Sequence, residues 1–338
     1  MKTWPIDPLR NKFARLCKNH HMDVSREQQL QLAAELYYLQ DYTMETIGHR
    51  LGLSRSSVSR LLKAARQEGL VTIRLNAPAA RRLGLAAKIQ ERFGVEAHVV
   101  SLTDDADAYQ SLDDVALAAA RLLAMWVDSQ TILGVAWGTT TTAIARHLQP
   151  KSAPGAIVVQ LNGAANTRSS GITYAGSIIS RFADAFGATV LDFPVPAFFD
   201  FAETKNLMWR ERSIRRVLDV AARADIALFS VGSLTGPLPS HVYSAGYFEQ
   251  ADLETLRAEG VVGDVCTVLL RRDGSYADID LNRRASGPNP QQLKLIPRRL
   301  CAVAGPAKLA PLLAALRAGV ATHLVVDEGL ARRLVKAN

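Results

Sequence analysis

A glycine followed by four threonines, Gly138, Thr139, Thr140, Thr141 and Thr142, stands within the run GVAWGTTTTAIARHL. An apolar, strand-like stretch precedes it and an alanine-rich helical stretch follows. At such a junction the unused backbone N–H groups of the first helical turn and the helix dipole both favour an anion. Glycine permits close approach, and threonine hydroxyls can donate to phosphate oxygens; the same residues would equally serve as a plain helix N-cap. A second set of polar residues, Arg55, Ser56, Ser57, Ser59, Arg60 and Lys63, is interleaved with Val58, Leu61 and Leu62 in RSSVSRLLKA. These suit nucleic acid: arginine can chelate guanine O6 and N7, and serine hydroxyls fit phosphates or base edges. Arg55 and Ser56 are expected near bases and Arg60 near the phosphate backbone.

Three helices must carry that second set. From Arg26 to Gln40, Leu30, Ala33, Ala34, Leu36, Tyr37 and Leu39 recur at helical spacing. Thr43 can cap a second helix running to about Leu51, Gly52 supplies a tight turn, and Ser54 caps a third from Arg55 to about Glu68, closed by Gly69. Gly48 lets the two later helices approach, and Ile47, Leu51, Leu53, Val58, Leu61 and Leu62 fall where their shared core must lie. The spacing predicts a helix-turn-helix, against the alternative of an αα-hairpin with a solvated polar face. LVTIRL, residues 70–75, reads as a strand, a small wing, and NAPAARR after it as a linker.

Beyond about Leu83, apolar runs alternate with helical stretches, which predicts an α/β domain with a largely parallel sheet. The expected strands are residues 97–102, 131–136, 156–161, 188–193, 226–231, 265–270, 300–305 and 323–327. Ligands of open α/β sheets bind outside the carboxyl ends of the strands. That rule adds Gln160, Asn162, Gly232, Ser233 and Asp264 to the candidates; Asp264 either accepts from ligand hydroxyls or caps the next strand. The expected organisation is a winged helix-turn-helix domain over 1–75, a linker over 76–83, and a ligand-sensing, self-associating domain over 84–338.

At 338 residues two domains are the default, and 48% hydrophobic with 21% charged residues is ordinary for a folded protein. No window offers 18 uninterrupted apolar residues, and the charged N-terminus lacks an apolar signal region, so a cytoplasmic protein with no membrane partner is expected. Cys17, Cys266 and Cys301 form no CxxC pair, which suggests neither a disulfide framework nor a metal site, and no cofactor motif appears. Residues 1–75 hold 12 Lys or Arg against 7 Asp or Glu, or +5 of the net +8, which fits a nucleic-acid-binding head on a near-neutral body. Arg10, Lys12, Arg15 and Lys18 form a basic arm that can add phosphate contacts or remain solvated.

The stretch from Ala33 to Ile73, then GVAWGTTTTAIARHL, VVQLNGA, VPAFF, ARADIALFSVG, GVVGDV, VAGPAKLAPLLAAL and HLVVDEGLARRLV, resembles in order and spacing the SorC/DeoR-type sugar-binding transcriptional regulators over nearly the whole chain. The resemblance implies an effector domain similar to sugar-phosphate isomerases (Rossmann-like), a phosphorylated sugar as effector, operator DNA as partner, and a homotetramer. It also implies that Lys308, in AGPAK, supplies positive charge to the effector, and that Arg284, in LNRRASG, is an effector arginine; a surface lysine is the alternative for Lys308. The chain departs from the family pattern at Gly305-Pro306, where Gly-Gly is usual, at Arg283-Arg284, where Asp-Arg is frequent, and at Thr139, where arginine is common. These departures leave the sugar unnamed. Two further readings stand beside the regulator: a sugar-phosphate isomerase or deaminase using Asp264 and His241, and a DNA-binding scaffold without a ligand. The first lacks a paired-carboxylate constellation, and the second leaves the threonine loop without a use.

Overall fold

The computed structural model describes residues 26–40, 42–71, 77–102, 107–234 and 240–337. The chain divides into two compact units, Met1–Leu75 and Asn76–Asn338. The first holds α1 (Arg26–Tyr38), α2 (Met44–Leu51) and α3 (Arg55–Gln67). Thr43 and Ser54 cap α2 and α3 because each hydroxyl accepts a backbone N–H that the helix leaves unused, from Thr46 at 3.2 Å and Ser57 at 3.1 Å. Gly52 turns the chain with φ +68°, a conformation that penalises any side chain. Gly48 answers a different need: a Cβ there would lie 2.6 Å from the Leu53 carbonyl oxygen, so only glycine lets the turn fold back on α2. Leu30, Ala33, Leu36, Ile47, Val58 and Leu62 are buried between the three helices. Leu70 and Val71 form a bend. The rest of the expected wing strand, the basic arm and Cys17 lie outside the described residues.

The stretch 76–83, expected as a linker, is helical from Ala77, the first residue of α4 (Ala77–Phe93). Proline at position 78 is compatible with this, since in a first turn it lacks only an N–H that the helix does not use, and the Ala and Arg residues after it are strong helix formers. The second unit is built on seven parallel strands. They are β1 (Glu96–Val100), β2 (Ile132–Val135), β3 (Ile157–Gln160), β4 (Thr189–Leu191), β5 (Ile226–Phe229), β9 (Arg298–Val303) and β10 (His323–Asp327), in the order β1-β10-β9-β5-β2-β3-β4. Between them in sequence, β6 (Val231–Ser233), β7 (Val261–Val265) and β8 (Val268–Arg271) make a small antiparallel sheet, ordered β6-β7-β8.

The central strands carry apolar residues at successive positions because both faces of the sheet are covered. Leu228, Ala302 and Val325 point into one layer with α5 (Ala108–Trp126), α6 (Thr139–His147) and α7 (Ser177–Phe186). Their neighbours Phe229, Val303 and Val326 point into the other with α4, α13 (Leu309–Arg317) and α14 (Glu328–Lys336). Short helices α8 (Ala202–Met208), α9 (Arg212–Ala221), α10 (His241–Ser244), α11 (Gln250–Ala258) and α12 (Pro290–Lys294) fill the long connections.

Two expected strands are corrected. The run 226–231 ends as β5 at Phe229, and Val231 belongs to β6 of the small sheet. The run 265–270 is the tip of a hairpin, with Cys266 (φ +49°) and Thr267 (φ +69°) between β7 and β8. A two-residue turn with both centres left-handed matches the twist of an antiparallel pair. It ordinarily takes Gly or Asn, so Cys-Thr carries no turn signal in sequence. Gly287 makes room for this tip, since a Cβ there would come 1.7 Å from the Cys266 carbonyl oxygen.

Candidate functional site

The chain runs from β2 to β3 to β4 on one side and later returns to β5 on the other side of β2. Such a reversal opens a crevice at the carboxyl ends of the central strands. A pocket open to solvent lies there, lined by Trp137 to Thr141 after β2, Asn162 after β3, Ser230 after β5, Gly232 and Asp264 of the small sheet, and Lys308.

The first turn of α6 leaves the N–H groups of Thr139, Thr140 and Thr141 unused by the helix, and its N-cap, Gly138, has no side chain to occupy them. The four threonine hydroxyls divide by role. Those of Thr141 and Thr142 donate to the Gly138 carbonyl at 3.0 and 2.8 Å and so fasten the loop. Thr139 is exposed, whereas the Thr140 hydroxyl is buried with no hydrogen-bond partner among the described residues. A buried hydroxyl in that state is costly unless a ligand or water satisfies it.

Opposite charges meet in the same pocket. Lys308 ends a 3-10 turn (Pro306–Lys308) and donates to the Val231 carbonyl at 2.9 Å. The approach to that turn is held by Asp327, which accepts from the Gly305 N–H at 2.7 Å and caps α14 through Leu330 at 2.8 Å. Burial lowers the pKa of Lys308, and the charge of Asp264 opposes that. Asp264 is buried and accepts from the Thr267 N–H at 3.0 Å, so it also holds the hairpin tip. Its other oxygen lies against Gly232, where a Cβ would come within 1.8 Å. Burial pushes the Asp264 carboxyl up to about 6, with the Tyr243 hydroxyl, the Thr267 N–H and Lys308 each pulling the other way. At neutral pH it is therefore mostly an ionised acceptor. One helix start suited to an anion, one cation and one acceptor for hydroxyls share this small space.

An aromatic group borders the pocket. Trp137 is buried and donates to the Asn162 and Gly163 carbonyls at 3.1 and 2.9 Å. It stacks on Tyr247 at 5.4 Å between ring centroids, while His241 stacks on Tyr174 at 4.1 Å. Burial lowers the His241 pKa, which favours the neutral imidazole at pH 7, and pushes the Tyr247 hydroxyl up to about 12. Among the described residues, no His, Cys, Asp and Glu cluster could hold a metal ion, and no helix is long and apolar enough to cross a membrane.

In the first unit, Arg55, Ser56, Ser59, Arg60 and Lys63 are exposed on α3, across the helix from Val58, Leu62 and Ala65. Ser57 is half-buried and belongs to the cap, its hydroxyl 2.9 Å from that of Ser54. Arg60 leans back onto the first turn of α3, donating to the Ser56 carbonyl at 3.4 Å.

The model of the Sugar-bind family, a sugar-binding domain, matches residues 77–336, and that of sigma-70 region 4 matches residues 31–68, which contain most of α1 and all of α2 and α3. The deoxyribonucleoside regulator of Bacillus subtilis (strain 168) is 34% identical over 315 residues, 93% of this chain and 99% of that protein. The chain belongs to the SorC/DeoR-type sugar-binding transcriptional regulators. Among solved structures, a domain of a possible sugar-binding transcriptional regulator from Arthrobacter aurescens TC1 is 50% identical, with a TM-score of 0.71, covering 75% of this chain and 97% of that one. The full-length sorbitol operon regulator SorC from Klebsiella pneumoniae, at 22% identity, shares the fold with a TM-score of 0.69 over 90% of this chain and 98% of that one.

Within this SorC/DeoR-type chain, the pocket gathers Gly138, Thr139, Thr140, Thr141, Asn162, Gly232, Asp264 and Lys308 of the expected effector residues. Four others stand elsewhere, Ser233 among them, whose backbone N–H donates to the Ser240 hydroxyl at 2.8 Å. Thr142 only supports the loop. Gln160 is buried as a brace, donating to the Asn162 carbonyl at 2.7 Å and accepting from the Phe193 N–H at 3.4 Å. Arg284 donates to the Phe199 and Asp200 carbonyls and lines a neighbouring cavity with Phe198, Tyr247 and Phe248. Sequence reasoning missed Trp137, Ser230 and Ser240 as lining residues, and took His241 only as an enzyme's residue. Trp137 directly precedes the glycine of the threonine loop, which was the one local signal for it. In the first unit the Arg50 guanidinium lies 4.2 Å over the Tyr42 ring, which precedes α2.

Proposed function

We propose that this regulator binds operator DNA through α3 and that a phosphorylated sugar or related metabolite, held at the carboxyl ends of β2, β3 and β5, sets its operator affinity. The observation that carries the reading is the convergence of the start of α6, with the buried, unpartnered Thr140 hydroxyl, and of Lys308 and Asp264 on one pocket. A phosphate takes the N–H groups of Thr139 to Thr141 and the Lys308 charge, and sugar hydroxyls donate to Asp264. Gly138, Asn162 and Gly232 shape the space around them. Arg55 and Ser56 read base edges, Arg60 and Lys63 hold phosphates, and Ser57 and Ser59 complete the groove-facing surface. Asp264 is the one carboxylate among the described residues lining the pocket, which supports binding over two-carboxylate acid–base chemistry. The working form we propose is a cytoplasmic homotetramer in which the metabolite favours one arrangement over another, so that effector and operator affinities are coupled in both directions.

The test measures binding to duplexes from the source genome by fluorescence anisotropy, with and without a panel of sugar phosphates and their unphosphorylated counterparts. A phosphorylated member is expected to change the affinity of one duplex, and at 100 times its dissociation constant to stabilise the protein by about 2.7 kcal/mol. Equal response to the unphosphorylated sugars refutes the anion site. Turnover of any panel member refutes the assignment as a regulator that only binds.

A further inference from the structure

Helix α9 packs on the sheet through Ile214 and Val217, with Leu218 and Ala221 partly buried beside them. Positions 212, 216 and 219 fall on the opposite side of the helix, with 215 flanking them and 223 in the turn just beyond its end. Four of these five are arginines, Arg212, Arg215, Arg216 and Arg223, and all four are exposed. The fifth is Asp219, whose carbonyl accepts from the Arg223 Nε at 3.1 Å. None of the four arginines forms an ion pair with a described residue, unlike Arg271 and Arg332 of the same unit, which do. A folded surface ordinarily mixes both signs. Here a row of four guanidinium groups, on one helix and the turn that follows it, stands with one carboxylate among them.

We propose that the outward face of α9 is a second DNA-contacting surface, binding duplex phosphates without regard to sequence. The inference rests on the DNA-binding reading above and extends it to the second unit. Guanidinium groups match phosphate oxygens bidentately. Phosphates of one strand recur about every 3.4 Å along the duplex axis, so the row offers a contact to several of them. Because both units are one chain, duplex held by α3 is present at high effective concentration for α9.

The experiment uses the full-length chain and a long random-sequence duplex, because non-specific affinity is carried by phosphate contacts and requires no knowledge of the operator. The variant R212Q/R215Q/R216Q is titrated against salt beside the unaltered protein. Its slope of log affinity against log salt is expected to shrink by about 2.7, roughly 0.9 for each lost contact, while R212K/R215K/R216K keeps the original slope. An unchanged slope in the glutamine variant overturns the proposal. So does a slope change accompanied by a change of mass in sedimentation, which would assign the arginines to contacts between copies of the chain. An unaltered protein that binds no duplex overturns the DNA-binding reading itself and this one with it, a result distinct from either.

Discussion

Replacing Asp264 by asparagine removes a charge that the fold buries at a cost, and the structure gives that cost a size and a pH dependence. The carboxyl is raised from 3.8 to about 6, by burial first, so the folded state holds the proton more tightly than the unfolded chain does. For a group raised in this way, stability falls as pH climbs from the unfolded to the folded value. The penalty is absent below about pH 4, roughly half developed at pH 5, and complete above pH 6 at about 3 kcal/mol. Asparagine keeps an acceptor for the Thr267 N–H and carries no charge, but it deprives Lys308 of a neighbouring negative charge. A net gain of about 1 to 3 kcal/mol at pH 7.5 is therefore expected for D264N. Urea denaturation followed by tryptophan fluorescence reads it directly, because Trp126, Trp137 and Trp209 all lie in the second unit. The gain must shrink toward zero as the measurement moves to about pH 4, and the same variant must bind the metabolite more weakly. A variant less stable than the parent at pH 7.5, or a gain equally large at pH 4, refutes the claim that this carboxylate is held ionised against its surroundings.

Other perturbations separate the two sites. T140D places a negative charge at the start of α6 and should abolish the response to a phosphorylated metabolite in calorimetry while operator affinity stays unchanged. R55A should weaken operator binding at fixed salt by roughly 1 to 3 kcal/mol if Arg55 reads a base, and a competition assay against duplexes altered one position at a time shows where specificity relaxes. G48A forces a Cβ to within 2.6 Å of the Leu53 carbonyl and should destabilise the first unit by about 1 to 3 kcal/mol, lowering DNA affinity without altering metabolite binding.

The three-helix unit was legible nearly residue by residue, since its signals are local. Thr43 and Ser54 cap the next turn of chain, Gly52 answers a backbone angle, and the apolar spacing of α3 separates its buried from its exposed face within one helix. The central strands were legible for a related reason: a strand covered on both faces carries consecutive apolar residues, so Leu324, Val325 and Val326 stand out without any partner being known. The start of α6 was visible because a glycine and a run of hydroxyls mark the junction between strand and helix, whichever use they serve.

Contacts between distant segments escaped the reading because nothing local encodes them. Cys266 and Thr267 take left-handed angles that neither residue type announces; the antiparallel pairing of β7 with β8 and the space at Gly287 impose them. Arg284 and Gln160 looked like ligand residues by position, and their side chains are instead spent on neighbouring backbone groups. Asp264 acquires its raised pKa only from burial, to which Gly232 and Tyr243, each more than twenty residues away in sequence, contribute by folding against it. Sequence alone thus determined the three helices of the first unit, most of the central strands and the strand-to-helix junction at Gly138, through short-range backbone chemistry. Only the tertiary structure decided which polar side chains face the pocket, because burial and hydrogen-bond partners are properties of what folds against a residue.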